Sequence, residues 1–342
     1  MTDLNPHDRL KEIVPTLTKH AEEIKQIQPD VVNDFGAWSA LKLIVHATTV
    51  NMYTTVISSH RDDWFYVDAL AGSGVSVHDG EGKCFHGSPV LAARDATEQF
   101  TKMYFIEQDD EKAQALRERL NAIFNGETHL DAEKPECGFE VVQGDANDEL
   151  EYVRQDMWRV AERGGKDAYF NYLSFIDNQG LDVEWEGIEH ITPTPHGDLL
   201  VNFPSKSITR PANSVDHEES MNDFYGSEIW TKDRSRDALL DAYCTRLTGV
   251  SRPTHVVTNV HSGKKDYHYD LIYATKEDAA YTEAIEYVRD FVEKVDGEDV
   301  EQVLDIVDGD QETLASLLPE QDNKSDEDED DDNGTQTGLG DF

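Results

Sequence analysis

The stretch 64–93 constrains the fold of this chain more than any other. It starts as a short apolar run that ends on Asp68, passes through a turn of small residues with Gly72 and Gly74, and resumes with Gly-Ser-Pro at 87–89 and an alanine-rich segment. Buried parallel strands have continuous apolar runs, and glycine lets the backbone approach a ligand closely. This order of strand, glycine turn, loop and helix predicts the entrance to a nucleotide-type pocket in an open α/β sheet.

The rest of the chain continues this alternation. Between the first five predicted strands lie helical patterns, whereas the turn 261–267 is too short for a parallel crossover and predicts an antiparallel pair. The sequence therefore predicts a Rossmann-like α/β fold: a mostly parallel sheet with an antiparallel terminal hairpin and helices on both faces. The predicted strands are 64–69, 102–106, 139–142, 168–176, 198–203, 254–260 and 269–274.

Domain boundaries follow from the changes in pattern. We predict a polar lead-in at 1–36, one α/β domain at 37–295 and a largely disordered acidic tail at 296–342. The segment 84–86, Cys-Phe-His, is expected to be part of a loop. The first helix of the domain, 37–57, is predicted to pack on the sheet through an apolar face formed by Leu41, Ile44, Val45, Thr48, Met52 and Val56.

The charge of the chain is unusual, with 71 acidic and 30 basic residues and a net charge of −41. The tail from Pro319 onward holds ten acids and one lysine, so most of the excess lies in the folded part. Two explanations remain: adaptation to high salt, where self-repulsion is screened, or a basic partner that covers much of the surface. In both cases a broad basic face for duplex DNA is absent.

Several classes of protein are excluded by composition. The three cysteines lie far apart without a Cys-x-x-Cys pair, which argues against a disulfide scaffold and a zinc knuckle. No signal peptide heads the chain and no apolar run approaches the ~20 residues of a membrane helix, so we expect a cytoplasmic protein without a membrane segment. We also expect no metal site, because no two of the candidate histidines have the i, i+4 spacing of metal ligands on a predicted helix. The candidates are His78, His86, His255, His261 and His268.

Acidic residues follow the first four predicted strands: Asp68, Glu107, Asp145 and Asp177. The carboxyl ends of parallel strands meet at one edge of the sheet, where a carboxylate after the second strand can accept both ribose hydroxyls and Asp145 can accept the adenine amino group. For each acid alone, a helix N-cap or a turn is the alternative. The predicted residues for an adenosine-type ligand are Asp68, Ala71, Gly72, Gly74, Glu107, Asp145 and Ala146.

The glycine turn lacks the third glycine of a dinucleotide fingerprint and the Gly-Lys-Ser/Thr of a P-loop. Taken together, the motifs of residues 37–295 resemble class I S-adenosylmethionine-dependent methyltransferases, and more narrowly the three-Cys-motif partner (TcmP) family. The matching segments are VDALAGSG at 67–74, GSPVLAA at 87–93, FIEQD at 105–109, GDAN at 144–147, FIDNQGLDVEW at 175–185, LLVNFPSKSITR at 199–210, FYGSEIW at 224–230 and YHYDLIYAT at 267–275.

The resemblance implies S-adenosylmethionine as the cofactor and a separate phage-type protein with three clustered cysteines as the partner, but no established substrate. It also implies catalytic roles for Asp177 and Asn178. The family's fourth-strand motif is typically Asp-Pro-x-Gly, whereas this chain has Asp-Asn-Gln-Gly at 177–180. We expect the loss of the proline to reduce the rigidity of the motif while Asp177 is kept.

Basic residues are scarce, so the few near the predicted site are informative. Lys206 and Arg210 follow the fifth strand, and Lys264 and Lys265 lie between the last two strands. They indicate an anionic acceptor, such as a nucleic acid, at the edge that carries the cofactor site; salt bridges to local acids are the alternative. Four aromatic residues could stack a base or belong to the core: Tyr225, Trp230, Tyr267 and Tyr269.

Two functions are consistent with these features. The first is a methyltransferase that acts on an unidentified acceptor, for which the VDALAGSG and GDAN segments argue. The second is a non-catalytic cofactor-binding or scaffold partner of the three-Cys-motif protein, for which the altered fourth-strand motif argues.

Overall fold

The computed structural model describes residues 5–60, 62–78, 82–163, 170–192, 196–263, 267–277, 279 and 282–305. The strands are β1 (Asn33–Phe35), β2 (Trp64–Asp68), β3 (Val75–His78), β4 (Cys84–His86), β5 (Lys102–Glu107), β6 (Phe139–Gln143), β7 (Asn171–Ile176), β8 (Gly197–Phe203), β9 (Thr254–His261) and β10 (His268–Thr275). The α-helices are α1 (Pro6–Thr18), α2 (Ala21–Lys25), α3 (Ser39–Ile57), α4 (Ser88–Asp95), α5 (Asp110–Phe124), α6 (Ala146–Glu162), α7 (Trp185–Ile191), α8 (Ser205–Ala212), α9 (Glu218–Tyr225), α10 (Arg236–Gly249) and α11 (Thr282–Val292).

Seven strands form the main sheet, in the order β6-β5-β2-β7-β8-β10-β9. Neighbours from β6 to β8 are parallel, and β10 runs antiparallel to both β8 and β9. The predicted fold class is therefore confirmed, including the terminal hairpin. Because the chain proceeds from β2 outward to β5 and β6 and then returns to β7, the strand order reverses between β2 and β7. Ligands of open α/β sheets bind outside the carboxyl ends of the strands at such a point.

Helices cover both faces of this sheet. On one face, Phe65 and Tyr172 belong to a buried apolar cluster with residues of α6, α7 and α10. On the other face lies α3, whose His46 ring is 4.7 Å from the ring of Phe175 between centroids. Every residue of β7 is buried as a result, which explains why this strand has no alternation of apolar and polar residues.

The predicted helix at 37–57 is present as α3, but its buried surface differs from the prediction. Thr48, Met52 and Val56 are half-buried, whereas Lys42 and His46 are buried. The reason is that α3 is contacted by β7 and also by α1, α4 and α11. A single apolar stripe is not the pattern of a helix that is covered on several sides.

A second sheet, β1-β3-β4, was not predicted. The expectation that 84–86 is part of a loop is wrong, since these residues form β4 and all three are buried. The Phe85 ring stacks on Phe35 at a centroid distance of 4.3 Å, and the Cys84 thiol donates to Glu22 Oε2 at 2.6 Å. Strands of three or four residues give too little periodicity for a sequence pattern to reveal them. This sheet brings β1 next to the glycine turn.

The first helix is part of the folded unit, because Leu10, Val14 and Leu17 are completely buried. Residues 297–305 are helical, and Val300, Val303 and Leu304 are buried. The boundaries predicted at 36 and 295 remain predictions, and the acidic run at 326–332 lies outside the described residues. In the described part of the chain, no helix is both long enough and apolar enough to span a bilayer.

Candidate functional site

A cleft with a volume of about 360 Å³ lies at the carboxyl ends of β2, β5 and β7. This volume falls within the ~300–1,000 Å³ that is usual for small-molecule sites. Four of the predicted residues line the cleft, namely Ala71, Gly72, Glu107 and Asp177. The β1 segment 33–35 forms another part of its wall. The cleft thus opens where the strand order reverses, and the small sheet encloses it.

The glycine turn after β2 has the predicted backbone requirement. Gly72 and Gly74 have φ angles of 65° and 81°, which residues with a Cβ rarely adopt. A Cβ on Gly74 would lie 2.8 Å from Leu116 Cδ1, and the Gly87 amide donates to the Gly74 carbonyl at 2.8 Å. Gly74 therefore packs between α5 and the start of α4, while Gly72 faces the cleft.

Glu107, the last residue of β5, is attached to the glycine turn. Its Oε2 accepts a hydrogen bond from the Gly72 amide at 2.7 Å, and its Oε1 accepts one from the Asp109 amide at 2.8 Å. A carboxylate has about four lone-pair positions, so two amides leave acceptor capacity for hydroxyl groups in the cleft. Glu107 is therefore both the support of the turn and a free acceptor beside it.

Arg119 of α5 supports the same turn from behind, and nothing in the sequence indicated it. The residue is completely buried and donates to four backbone carbonyls, those of Ser73 (2.7 Å), Gln28 (2.8 Å), Val31 (2.8 Å) and Ile27 (2.9 Å). Burial lowers the pKa of its guanidinium to about 10. The five donors of arginine suit such an arrangement, because each carbonyl takes a separate N–H.

Asp68 does not line the cleft, because the residue is completely buried. Tyr66 donates its hydroxyl proton to Asp68 Oδ2 at 3.2 Å, and the same hydroxyl lies 2.7 Å from His46 Nε2. Burial raises the pKa of Asp68 to about 7 and lowers the pKa of His46 to about 3. Asp68, Tyr66 and His46 therefore form a buried hydrogen-bonded row beneath the glycine turn, and a contact of Asp68 with a ligand stays a prediction.

Asp145 and Ala146 lie at the end of β6, outside the residues that line the cleft. Asp145 is the N-cap of α6, and its side chain accepts from the Asn147 amide at 2.9 Å. Gln108 Nε2 donates to Asp145 Oδ2 at 3.4 Å, and Ala146 is buried. The capping alternative that the sequence left open thus describes Asp145 in this structure.

Asp177, directly after β7, lines the cleft with both carboxylate oxygens bonded. Lys42 Nζ donates to Oδ2 at 2.5 Å, and Asn202 Nδ2 donates to Oδ1 at 2.9 Å. The Lys42 and Asp177 side chains are only 10% and 15% exposed. Lys42 also lines the cleft. An ammonium group and a carboxylate therefore meet at the position predicted for catalysis, and the ammonium comes from α3.

Asn178, predicted beside Asp177 as a catalytic residue, is not among the residues that line the cleft. Its side chain is buried, and its Oδ1 accepts from the Val183 amide at 3.0 Å. Asp182 Oδ2 accepts from the amides of Gln179 and Gly180 at 2.6 and 2.8 Å. These hydrogen bonds brace the Asp-Asn-Gln-Gly turn in the absence of a proline, and the expected loss of rigidity stays a prediction.

Of the predicted acceptor residues, neither Lys206 nor Arg210 lines the cleft. Lys206 and Arg210 are exposed on α8, and Lys264 and Lys265 lie outside the described residues. Among the residues that the structure describes, the charged ones that line it are four carboxylates and two lysines: Asp34, Glu107, Asp177, Asp182, Lys42 and Lys112.

Of the aromatic candidates for base stacking, three belong to the core: Tyr225, Trp230 and Tyr269 are buried. Tyr267 is half-buried, with its ring 5.7 Å from that of Trp38 between centroids. The core alternative therefore describes most of this set.

Sequence reasoning missed Lys42 and Asn33, which also lines the cleft. A lysine inside the apolar pattern of α3 was a signal for Lys42, because an unpaired ammonium is rarely buried. For Asn33, whose Oδ1 accepts from the Ser73 amide at 3.4 Å, the sequence held no signal.

Comparison with protein-family models gives no match, and a search of curated proteins gives none. Among solved structures, protein LPL1258 from Legionella pneumophila, designated DUF519, aligns with a TM-score of 0.45 at 10% identity over 73% of this chain and 91% of that one. Trm1 from Pyrococcus horikoshii, solved with S-adenosyl-L-methionine, aligns at 0.38 and 12% identity over 71% and 56%. The plantazolicin methyltransferase BpumL, solved with SAH, aligns at 0.34 and 9% over 80% and 99%. These TM-scores are low, and each is a likeness only.

Proposed function

We propose that this protein is a class I S-adenosylmethionine-dependent methyltransferase. The observation that carries the proposal is that Glu107, after one strand, and Asp177, after another, line one cleft at the point where the strand order reverses. One carboxylate is suited to ribose hydroxyls and the other to an acceptor group. The cofactor would supply an electrophilic methyl group, so the protein's own part is to bind and align the two reactants.

The residues of the cleft fit such a cofactor. Glu107 keeps lone pairs for hydroxyl groups after it has bound the Gly72 amide, and the backbone of Ala71 and Gly72 forms the adjacent wall. Gly74 and Asp68 would act indirectly, since Gly74 allows close packing behind the turn and Asp68 lies buried beneath it. Asp145 and Ala146 remain predicted contacts for the adenine.

Asp177 would orient the acceptor. Lys42 would balance the charge of the Asp177 carboxylate and hold it in position. Because Lys42 and Asn202 already bind the two carboxylate oxygens, an acceptor that donates to Asp177 must share or displace one of these partners. Carboxylate oxygens have room for a second donor each. Asn178, with its side chain buried, would act only through the shape of the turn.

A non-catalytic, cofactor-binding partner protein is the second candidate. The observation that favours it is the same pair of bonds, because an Asp177 held by Lys42 and Asn202 is a less available acceptor for an incoming amino group. For both candidates we also propose membership of the three-Cys-motif partner family. Both would then have a phage-type companion protein with three clustered cysteines.

The acceptor is also a proposal. An anionic acceptor such as a nucleic acid would meet Lys206 and Arg210 on α8, with Lys264 and Lys265 as predicted further contacts. The four carboxylates of the cleft itself oppose an anion deep inside. An acceptor that carries its negative charge outside the cleft and inserts a neutral group is consistent with both sets of residues.

The test is a calorimetric titration of the full chain with S-adenosylmethionine in molar salt. We expect one site on the wild type and at least tenfold weaker binding by Glu107→Gln, because the amide keeps the size of the side chain but offers one acceptor oxygen. Glu111→Gln, at an exposed acid in the first turn of α5, is the matched control and should bind as the wild type does.

Transfer of a labelled methyl group to nucleic acid or protein of the host separates the two candidates. Binding with transfer that Asp177→Asn abolishes supports the enzyme. Binding without transfer supports the partner protein, and the absence of binding contradicts both candidates.

A further inference from the structure

Three side chains of metal-binding type meet on the surface away from the cleft. His20 precedes α2, Glu23 lies within it, and His129 lies in the loop between α5 and β6. One ligand atom from each residue lies within 4.8 Å of the other two. Among the residues that the structure describes, no other three histidines, cysteines or acids come together in this way.

The carboxylate of Glu23 is held between the two histidines. The backbone amide of His129 donates to its two oxygens at 3.2 and 3.3 Å, and His129 Nδ1 lies 3.0 Å from Oε1. His20 Nδ1 lies 3.7 Å from Oε2. The two imidazole rings are stacked, with centroids 5.7 Å apart and an interplanar angle of 20°. Both Nδ1 atoms therefore lie beside one carboxylate, and the His129 amide fixes the orientation of that carboxylate.

We propose that His20, Glu23 and His129 bind Zn²⁺. Imidazole nitrogen and carboxylate oxygen are zinc ligands, and three protein ligands leave a fourth position for water or another donor. Mg²⁺ and Ca²⁺ prefer all-oxygen sites and bind such a group weakly. Ligand atoms of a tetrahedral zinc site are ~3.3 Å apart, so the group must contract on binding. The His129 side chain is 81% exposed and is free to make this movement.

The environment of the group is compatible with a cation. His20 and His129 line a surface cavity of about 370 Å³, and Asp131 in the same wall adds a carboxylate. Two bases, Lys19 and Arg94, also line this cavity, and the Nε and Nη2 atoms of Arg94 each lie 2.7 Å from an oxygen of Asp95. The net charge of −41 also favours cations near the surface.

Zinc at this position would join two distant parts of the chain. Glu23 and His129 are 106 residues apart, and the bound ion would connect α2 to the loop that follows α5. A metal that binds only the folded state stabilises it by mass action. The prediction of no metal site rested on the spacing of histidines within one helix. Such spacing cannot reveal ligands that come from two segments far apart in the chain.

The experiment is a calorimetric titration with ZnCl₂ of the full chain after treatment with a chelator, in molar salt. Wild type is expected to bind one Zn²⁺ in a saturable phase that His129→Ala and His20→Ala each weaken by about tenfold or more. His217→Ala, at an exposed histidine outside the group, is the matched control and should leave this phase unchanged. The same Zn²⁺ concentrations should raise the Tm of the wild type and not that of His129→Ala, and MgCl₂ should do neither.

Weak binding to the acidic tail is common to all these variants and therefore cancels in the comparison. Equal affinity of wild type and His129→Ala overturns the proposal, as does a titration without a saturable phase. In either case the three side chains are a surface ion-pair group only. This site does not depend on the proposed function, and its failure would leave the cofactor titration unaffected.

Discussion

The ammonium group of Lys42 in α3 lies 2.5 Å from Asp177 Oδ2, although 135 residues separate them in the chain. The pair joins a helix on one face of the sheet to the turn after β7, at the edge of the cleft. Both side chains are largely shielded from solvent. Breaking such a pair leaves an uncompensated charge, which makes the pair a structural requirement as well as a feature of the site.

Lys42→Met should lower the free energy of unfolding by about 3 kcal/mol, because the charge of Asp177 is left without its cation. The double variant Lys42→Met/Asp177→Asn should recover a large part of this loss, because it removes both charges. Chemical denaturation in molar salt measures both values. A loss below about 0.5 kcal/mol in the single variant, the usual range of a surface pair, would contradict the importance of the contact.

Arg119→Lys should destabilise the protein by about 3 kcal/mol, because one ammonium cannot serve four carbonyls and leaves buried acceptors unpaired. It should also weaken binding of S-adenosylmethionine, since the Ser73 carbonyl belongs to the glycine turn. Arg117→Lys is the control in the same helix, as Arg117 donates to one carbonyl, that of Val141. Equal losses of stability in the two variants would show that the four hydrogen bonds of Arg119 contribute no more than the single bond of Arg117.

Gly87→Ala tests the close approach behind the glycine turn. A Cβ at this position would lie 2.9 Å from the carbonyl carbon of Gly74, and this backbone cannot move without shifting the turn. We expect a loss of about 1–3 kcal/mol in stability together with weaker cofactor binding. Gly249→Ala is the control, because a Cβ there meets nothing within 4 Å. Wild-type cofactor affinity in Gly87→Ala would contradict the role of this contact.

Asp68 and His46 should give opposite slopes of stability against pH. The pKa of Asp68 is about 7 in the folded protein against an ordinary 3.8, so its contribution is present at low pH and is lost as the pH rises through 7, by at most ~4 kcal/mol. The pKa of His46 is about 3 against 6.5, so its contribution is present above pH 6.5 and is lost as the pH falls toward 3.

The difference between wild type and each single variant should therefore show the slope that the replaced residue contributes. As the pH rises from about 4 to 7, Asp68→Asn should gain stability relative to wild type. As the pH rises from about 4 to 6.5, His46→Gln should lose stability relative to wild type. Denaturation at a series of pH values in molar salt, which screens the surface acids, measures these differences. Parallel curves for the three proteins would mean that neither group is perturbed.

The sheet could be predicted from the sequence because its strands are buried on both faces and separated by recognisable helices. The positions of the glycine turn and of the strand-end acids Glu107 and Asp177 could be predicted for the same reason, since a residue at the carboxyl end of a parallel strand lies at one edge of the sheet. Asp145 shows the limit of this reasoning, because the same position also caps a helix: its side chain accepts from the Asn147 amide, and its contact with a ligand stays a prediction.

What could not be predicted comes from contacts between segments far apart in the chain. Lys42 reaches Asp177 across the sheet, Arg119 reaches the turn from α5, and β1 pairs with β3 through only three residues. The sequence also could not show that the Asn178 side chain accepts from the Val183 amide, because the side chain of a tight turn can point to either side. Spacing along one element contains no information on any of these contacts.

The proposed function requires S-adenosylmethionine to bind in the cleft between the glycine turn and Asp177. A crystal structure of the full chain with S-adenosylhomocysteine in molar salt tests it most directly. We expect ribose hydroxyls within hydrogen-bonding distance of the Glu107 carboxylate and the sulfur on the side of the cleft formed by Asp177 and Lys42. A ligand bound elsewhere, or a cleft that stays empty at saturating ligand, would contradict it.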